Sequence, residues 1–469
     1  MKILLIRPHS DVPSCAPPLG LLYLTSYLRE HGGDHEVEIL DARLKEWDDD
    51  RCEKAIAASK ADLVGVTAFS MESPQAHELA ARTKKVLPQA TFIVGGPYAT
   101  SDYMQALEDP NIDIAVIGEA ERSFTQLVDR LAAGSEDWKE VSEIAFRQNG
   151  AMVKTEFRDF LDNLDELPYP AWDAIDLEEY FNHKSTTKRN AFNQHQATQR
   201  VMSMQTTRGC PYRCTYCHNL FGKKLRKRSV ENVIGELKLM KEKYDATEIE
   251  FIDDIFNLDI ARAKQVFRHI IDEKFNFKIS FPNGLRSDSF DEELLDLFKE
   301  GGVFRLVFAI ETASPRIQKQ IRKNMDLEKA KKNIALAAKR GMSLGGFFMI
   351  GFQDETEEEC WDTVRFAWES ELHTAAFFVV TPFPNTEMWK LAAEAGYNLD
   401  ADFECYQKVS ANISKVPSER LEEIRKIAFR KFYLNPKRLI NFMRSTPWRD
   451  RFWEKIYILI MASFFKYDK

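Results

Sequence analysis

Long apolar runs are missing from this 469-residue chain. No stretch reaches the roughly 20 consecutive apolar residues that a membrane-spanning helix needs. The opening Met1-Lys2-Ile3-Leu4-Leu5-Ile6-Arg7-Pro8 is punctuated too early for a secretory signal and reads as a first strand. Cysteine is scarce: there are seven, an odd number, and Cys15, Cys52, Cys360 and Cys405 are scattered singly. That argues against a disulfide framework and predicts reduced thiols in a reducing cytosol. It also leaves no set of cysteines for a second metal cluster. A basic surplus is absent as well, since the net charge is −8, and nucleic acid is not expected as a partner. The apolar share, 44%, is that of a globular protein, and the length suits two or three domains.

The chain does concentrate three cysteines, Cys210, Cys214 and Cys217, in Thr207-Arg208-Gly209-Cys210-Pro211-Tyr212-Arg213-Cys214-Thr215-Tyr216-Cys217-His218-Asn219. Thiolates at C-x3-C-x2-C spacing can hold three corners of a cubane iron–sulfur cluster, and the fourth iron is left open to bind a substrate. The rival is zinc, whose structural sites take four ligands. His218 could be the fourth, but it directly follows Cys217 and fits badly.

Strand-like and helix-like segments alternate on both sides of this run. Strands are predicted at 2–7, 36–40, 63–69, 91–95 and 114–118, and helices at 19–31, 74–87, 98–107 and 123–133. This is the pattern of a doubly wound, Rossmann-like parallel sheet over 1–140, which binds ligands beyond the carboxyl ends of its strands. Those ends carry Ser70 and Met71, Gly95 and Gly96, and Gly118 and Glu119. Each loop alone could be an ordinary tight turn. Residues 141–198 read as a linker, broken by Leu167-Pro168-Tyr169-Pro170-Ala171-Trp172-Asp173. Over 199–400, strands are predicted at 201–206, 248–252, 278–281, 305–310, 345–350 and 376–380, with helices at 230–244, 260–273, 291–300, 326–340, 355–369 and 386–394. Six such units make a partial (β/α)6 TIM-type barrel, with its chemistry at the carboxyl ends of the strands. The cysteine run falls at that end. Residues 401–469 form an α-helical extension.

The cysteine spacing, with an aromatic just before the third cysteine, resembles the radical S-adenosylmethionine (SAM) superfamily. The order of Pro17-Pro18-Leu19-Gly20, the Ser70 loop, Gly95-Gly96-Pro97 and Gly118-Glu119-Ala120-Glu121 resembles the cobalamin-binding domain that precedes many radical SAM domains, and Pro-Tyr-Pro-Ala-Trp-Asp resembles its linker. One motif of the wider cobalamin-binding family, D-x-H-x-x-G, is missing. The loop after the first strand reads His9-Ser10-Asp11-Val12-Pro13-Ser14-Cys15, so His9 is read as an ordinary loop residue and cobalt as lacking a histidine below.

The resemblance implies a 4Fe-4S cluster on Cys210, Cys214 and Cys217, with SAM chelating the open iron and Tyr216 near its adenine. It implies a 5′-deoxyadenosyl radical that abstracts hydrogen directly, so no acid need serve as a base. Cobalamin would lie against Ser70, Met71, Gly95, Gly96, Gly118 and Glu119. Asp253, next to Asp254 at a strand end, is expected to accept from the SAM ammonium; a helix N-cap, at Asp254 or Asp259, is the plain alternative for this acidic stretch. Arg286 can hold the SAM carboxylate in a fork, or make a surface ion pair. Glu311 ends an apolar run, where an unpaired acid would be costly, and resembles the family's ribose- or ammonium-contacting glutamate. Met349 and Gly351, in Gly345-Gly346-Phe347-Phe348-Met349-Ile350-Gly351-Phe352, resemble the adenine-binding strand. Arg322 is a weaker polar candidate.

The expected function is cobalamin-dependent radical SAM methylation of an unactivated carbon or phosphorus, with an external electron donor such as flavodoxin or ferredoxin. An oxidative cyclase or rearrangement enzyme without methyl transfer stays open, as does a non-catalytic cobalamin or iron–sulfur sensor. A methylthiotransferase is disfavoured, because the N-terminal half has no second cysteine triad.

The tail has the opposite charge from the rest. Residues 415–469 hold 14 Lys and Arg against 6 Asp and Glu, a net +8 that leaves −16 elsewhere. Its last apolar run, 456–465, is too short to span a bilayer. It reads as a terminal helix packed on the barrel with basic side chains snorkelling, or as a helix lying on an anionic membrane surface. The protein is therefore expected in the cytoplasm, with peripheral contact at the inner membrane surface as the alternative. The substrate is expected to be a small molecule, lipid-like if the membrane reading holds.

Overall fold

The computed structural model describes residues 1–10, 16–135, 137–157, 160–183, 196–218, 220–399 and 411–445. The chain forms two compact units, Met1–Lys188 with Leu220–Gly222, and Arg189–Asn219 with Lys223–Lys469.

In the first unit β1 (Lys2–Arg7), β2 (Glu36–Asp41), β3 (Leu63–Thr67), β4 (Thr91–Gly95) and β5 (Ile114–Val116) run parallel in the order β2-β1-β3-β4-β5. Burial on both faces explains the almost unbroken apolar sequences of β1, β3 and β4, while the edge strand β2 alternates with exposed acids. One face packs on helices Leu19–His31 and Glu121–Ala132, through Leu21, Leu28, Phe124 and Leu127. The other packs on Asp49–Ser59, Ser73–Val86 and Gly96–Glu108, through Ile56, Leu79 and Tyr98. Helix Asp49–Ser59 escapes prediction because only Cys52 and Ile56 of its charged sequence are buried.

The sheet also continues past residue 140. β6 (Ile144–Gln148) and β7 (Ala151–Lys154) add an antiparallel hairpin beyond β5, within the stretch expected to be linker. Its two-residue turn is Asn149-Gly150 with φ of 53° and 79°, the doubly left-handed geometry that matches strand twist.

In the second unit β8 (Val201–Met204) leads into the cysteine loop, which is bracketed by a short antiparallel ribbon of β9 (Thr207–Arg208) and β10 (Arg226–Lys227). Then β11 (Glu248–Phe251), β12 (Lys278–Leu285), β13 (Val303–Glu311), β14 (Ser343–Ile350) and β15 (Thr374–Val379) follow, all parallel, in the spatial order β8-β11-β12-β13-β14-β15. Among the described residues β8 and β15 do not pair, so the barrel is partial and open. Its helices start where side-chain caps dictate: Ser229, Asp259, Asp291, Asp326 and Thr356 each accept a backbone N–H of the first turn.

The described part of the basic tail packs on the barrel. Helix Ser418–Tyr433 sets Phe429 and Phe432 against Phe377 of β15. In helix Pro436–Ser445, Arg438 donates to the carbonyls of Leu372, Trp368 and Ser370. The apolar run 456–465 lies outside the described residues. Among the described residues no helix is long and apolar enough to cross a membrane.

Gly302 sets the entry to β13, the strand on which Glu311 sits. Its φ is 95°, and a Cβ there would lie 2.1 Å from the carbonyl oxygen of Phe277. Left-handed backbone alone costs an L-residue about 1–2 kcal/mol, and the clash is with backbone that cannot step aside. Gly302→Ala is thus expected to lower unfolding free energy by more than about 2 kcal/mol, read from denaturant melts.

Candidate functional site

The cysteine loop is pinned at both ends. Asp253, just past β11 and 3% exposed, accepts with Oδ1 from the Thr206 N–H at 2.8 Å, the Thr206 hydroxyl at 3.0 Å and the Thr207 hydroxyl at 2.7 Å. Its Oδ2 is buried with no hydrogen-bond partner, and burial raises the carboxyl above its ordinary value against the pull of those bonds. Asp253 is thus engaged in fixing the strand end before Cys210. At the far end the Thr215 N–H donates to the Ile321 carbonyl at 3.1 Å, and the Met388 N–H donates to the Thr215 carbonyl at 2.8 Å.

Cys210 and Cys214 lie between these anchors and are half-buried, and Cys217, just past the second, is exposed, all as free thiols. Burial, with Asp254 and Cys214 close by, raises the half-buried Cys210 thiol above its ordinary value. Thiols raised in this way hold their protons until a metal takes the proton's place. Among the described residues no three His, Cys, Asp or Glu side chains converge on a single-ion site. Three thiols spread over one loop suit a cluster, which distributes its thiolates over separate irons.

Beside the loop lies a polar trio of two buried groups and the half-buried Tyr216. Lys323 Nζ is 3.1 Å from Glu311 Oε1 and 3.3 Å from the Tyr216 hydroxyl. Lys323 is 6% exposed and Glu311 9% exposed. Burial drives the Tyr216 hydroxyl well above its ordinary value, with Glu311 and Cys214 adding to it. Its ring meets Phe352 edge-on at 6.1 Å, and Met349 packs at the edge of the same apolar cluster. Lys323 is not found by sequence reasoning. Helix Pro315–Gln320 ends and Arg322 turns left-handed at φ 56°, which points Lys323 inward and Arg322 outward, into an exposed pair with Glu387 at 2.6 Å.

Arg286, expected to hold a ligand carboxylate, has its fork filled. Nε and Nη2 bind Asp288 at 3.0 and 2.8 Å, Nη1 donates to the Lys323 carbonyl at 2.9 Å, and the guanidinium stacks 4.2 Å over Tyr212. It ties the cysteine loop to the Lys323 turn. Gly351, at φ 91°, gives its N–H to Glu355 Oε2 at 2.5 Å, and Phe352 gives its own at 3.0 Å. Glu355 therefore already occupies the Gly351 donor, and burial pushes this carboxyl up to about 7.

In the first unit three loops are stitched together at one sheet edge. The Ala68 N–H donates to the Gly95 carbonyl at 3.2 Å, and the Tyr98 N–H donates to the Ala68 carbonyl at 2.9 Å. The Thr100 hydroxyl donates to the Gly96 carbonyl at 2.8 Å and accepts from the Gly118 N–H at 3.0 Å. Gly96 has φ 80°, and a Cβ there would stand 2.6 Å from Thr67 Oγ1. Buried Glu72, ion-paired with buried Arg43, accepts from the Phe69 N–H at 3.0 Å and turns the next residues outward. Ser70 and Met71 are left half-buried and Phe69 52% exposed. A bare backbone edge beside an exposed apolar ring fits a large, partly apolar ligand. Glu119 is buried, and with Glu121 it adds to the burial that pushes the Glu143 carboxyl up to about 7. His9 is held by Asp49 at 3.0 Å.

The radical SAM superfamily model matches residues 204–367, and the B12 binding domain model matches residues 10–128. An uncharacterized methyltransferase of Pyrococcus horikoshii is 33% identical, over 94% of this chain and 94% of its own length. Cytidylyl-2-hydroxyethylphosphonate methyltransferase of Streptomyces wedmorensis is 29% identical, over 84% of this chain and 82% of its own. The fold matches that of the radical SAM methyltransferase TsrM from Kitasatospora setae, solved with cobalamin and a [4Fe-4S] cluster, with a TM-score of 0.68 at 19% identity over 84% of this chain and 78% of that one. With both domain models and full-length relatedness in agreement, the chain belongs to the cobalamin-dependent methyltransferase family of the radical SAM superfamily, enzymes that work with a 4Fe-4S cluster, SAM and cobalamin.

Proposed function

We propose that the enzyme transfers a methyl group to an unactivated carbon or phosphorus centre of a small molecule, and that Cys210, Cys214 and Cys217 hold its cluster. The observation that carries the site assignment is the Tyr216–Lys323–Glu311 trio, with Lys323 and Glu311 buried, beside three free thiols on a loop held by hydrogen bonds at Thr206, Thr207 and Thr215. When bound, the cluster supplies the electron that cleaves SAM, and cobalamin carries the methyl group. The electron comes from outside the chain, from a donor such as flavodoxin or ferredoxin.

The residues divide into contacts and supports. Lys323 is the cation for the SAM carboxylate, because its ammonium keeps donor capacity that the Arg286 fork has spent on Asp288. Glu311 accepts from the SAM ribose or ammonium, and Tyr216 with Met349 covers the adenine. Asp253, Arg286 and Glu355 act one step back: each uses its polar atoms to hold the backbone that presents these groups. On the first unit, Gly95, Gly96 and Gly118 let cobalamin approach the backbone closely, while Ser70, Met71 and Glu119 border it.

The test is product analysis after anaerobic reconstitution with iron, sulfide and cobalamin, then SAM and a strong reductant. The expected result is both 5′-deoxyadenosine and S-adenosylhomocysteine, the latter dependent on cobalamin. Deoxyadenosine without S-adenosylhomocysteine would overturn methyl transfer and favour cyclisation or rearrangement.

A further inference from the structure

We infer that the exposed face of the cysteine loop is the docking surface for the electron donor, a small acidic protein held on Arg213, Lys223 and Lys224 beside Cys217. The inference deepens the proposed function and rests on it.

The segment that carries the three cysteines is also strongly basic. Residues 207–228 hold seven Lys and Arg and no Asp or Glu, a net +7 in a chain whose remainder is −15. Three of the seven belong to the fold. Buried Arg228 pairs with buried Glu236, the Nε of buried Arg208 donates to Gln205 Oε1 at 3.2 Å, and buried Arg226 lies in the β9–β10 ribbon. A fourth, exposed Lys227, is matched by Asp259 at 2.6 Å. Arg213, Lys223 and Lys224 differ: all three are exposed, and they stand next to the thiols. Arg213 directly precedes Cys214. Lys223 Nζ donates to the Tyr212 carbonyl at 3.0 Å, which fixes an exposed ammonium at the backbone midway between Cys210 and Cys214. Lys224 follows it, and Cys217 of the same loop is exposed as well. Asp254 is an exposed acid near Cys210, and the three cations outnumber it.

Electron transfer falls off exponentially with distance. A protein donor therefore has to bring its own centre against the part of the cluster site that reaches the surface, and Cys217 is the exposed ligand. Cations spread over an exposed loop suit the broad acidic surface of another protein, whereas a small anion is bound by cations that converge in a cavity. Flavodoxins and ferredoxins are small acidic proteins. The acidic remainder of the chain disfavours their approach elsewhere, so the local positive face selects the orientation as well as the partner. On docking, one electron leaves the donor's reduced flavin or iron–sulfur centre and enters the cluster on Cys210, Cys214 and Cys217. It is the electron that SAM cleavage then consumes.

The test is flavodoxin and ferredoxin binding to the cluster- and cobalamin-loaded enzyme by calorimetry, with the rate of cluster reduction followed alongside. Photoreduced deazaflavin, a small neutral reductant that needs no docking surface, is the comparison. At least one of the two proteins is expected to bind, and its affinity should fall at least about tenfold between about 20 and about 200 mM salt. Lys223→Gln with Lys224→Gln should weaken binding and slow reduction by that protein at least about tenfold, while reduction by deazaflavin stays within about twofold. Lys224→Glu alone leaves the Lys223–Tyr212 bond in place and stands in if the double variant does not assemble its cluster. Absence of binding by both proteins would overturn the inference, as would an affinity unmoved by salt or by either cluster-loaded variant. So would an equal loss of reduction by deazaflavin, which places the effect in the cluster and not on the surface. Formation of S-adenosylhomocysteine by the deazaflavin-reduced enzyme reports separately on methyl transfer, so the two readings can fail independently.

Discussion

Cys214→Ala is expected to lose the iron–sulfur cluster and, with it, all 5′-deoxyadenosine formation above the level of cluster-free protein. Two thiols cannot hold three corners of a cubane. The loss should be complete, because a carboxylate or imidazole nearby does not replace the missing thiolate: His218, which directly follows Cys217, keeps its ring against Phe383 at 5.6 Å. The folded chain should survive the change. The loop is anchored by Asp253 on Thr206 and Thr207 and by Thr215 on Ile321, none of which involves the Cys214 sulfur, and removing a half-buried thiol should cost under about 1 kcal/mol. Iron and sulfide content, the electron paramagnetic resonance of the reduced cluster and deoxyadenosine yield should therefore collapse together while the thermal melt of the apo-protein hardly moves. A variant that retained its cluster and kept cleaving SAM would sink the assignment of Cys214 as a ligand.

Much of this architecture was legible because local signals agreed with tertiary ones. Helices Leu19–His31 and Val230–Tyr244 have the predicted ends, and the barrel helices begin at Ser and Asp residues that cap them. The cysteine motif was legible because it is contiguous. What was not legible depends on contacts between distant residues. Nothing near Arg286 in sequence says that the carbonyls of Lys323 and Asn324 will use up its donors, although Asp288, two residues on, hints at an internal pair. Lys323 looks like one basic residue among several until the left-handed turn at Arg322 decides which of them faces inward. Phe69 ends the strand predicted at 63–69, yet the strand stops at Thr67, Glu72 holds the Phe69 N–H and the ring is left outside. The Asn149-Gly150 hairpin is different: its turn signal is local and stands in the sequence, inside the stretch read as linker.

Lys323→Met is expected to weaken SAM binding at least about thirtyfold, the equivalent of about 2 kcal/mol for truncating one member of a buried, hydrogen-bonded charge pair. The same substitution leaves Glu311 buried without its cation, and breaking a buried pair from one side costs about 3–5 kcal/mol of stability. A fall in SAM affinity alone would therefore not separate a ligand contact from a damaged fold. The double variant Lys323→Met with Glu311→Gln does. It removes both charges, so most of the lost stability should return, as it does when both halves of a buried pair are replaced together. SAM affinity should not return, because the carboxylate-binding cation is still missing. Tyr216→Phe offers a second check: it deletes only the hydroxyl 3.3 Å from Lys323 Nζ and keeps the ring against Phe352, so it should weaken SAM binding by well under tenfold. The readouts are a denaturant melt of each apo-protein and calorimetric SAM binding to each cluster-loaded protein. If the double variant bound SAM as tightly as the unmodified enzyme, Lys323 would be no more than the counter-ion of Glu311, and the carboxylate of SAM would have to be held elsewhere.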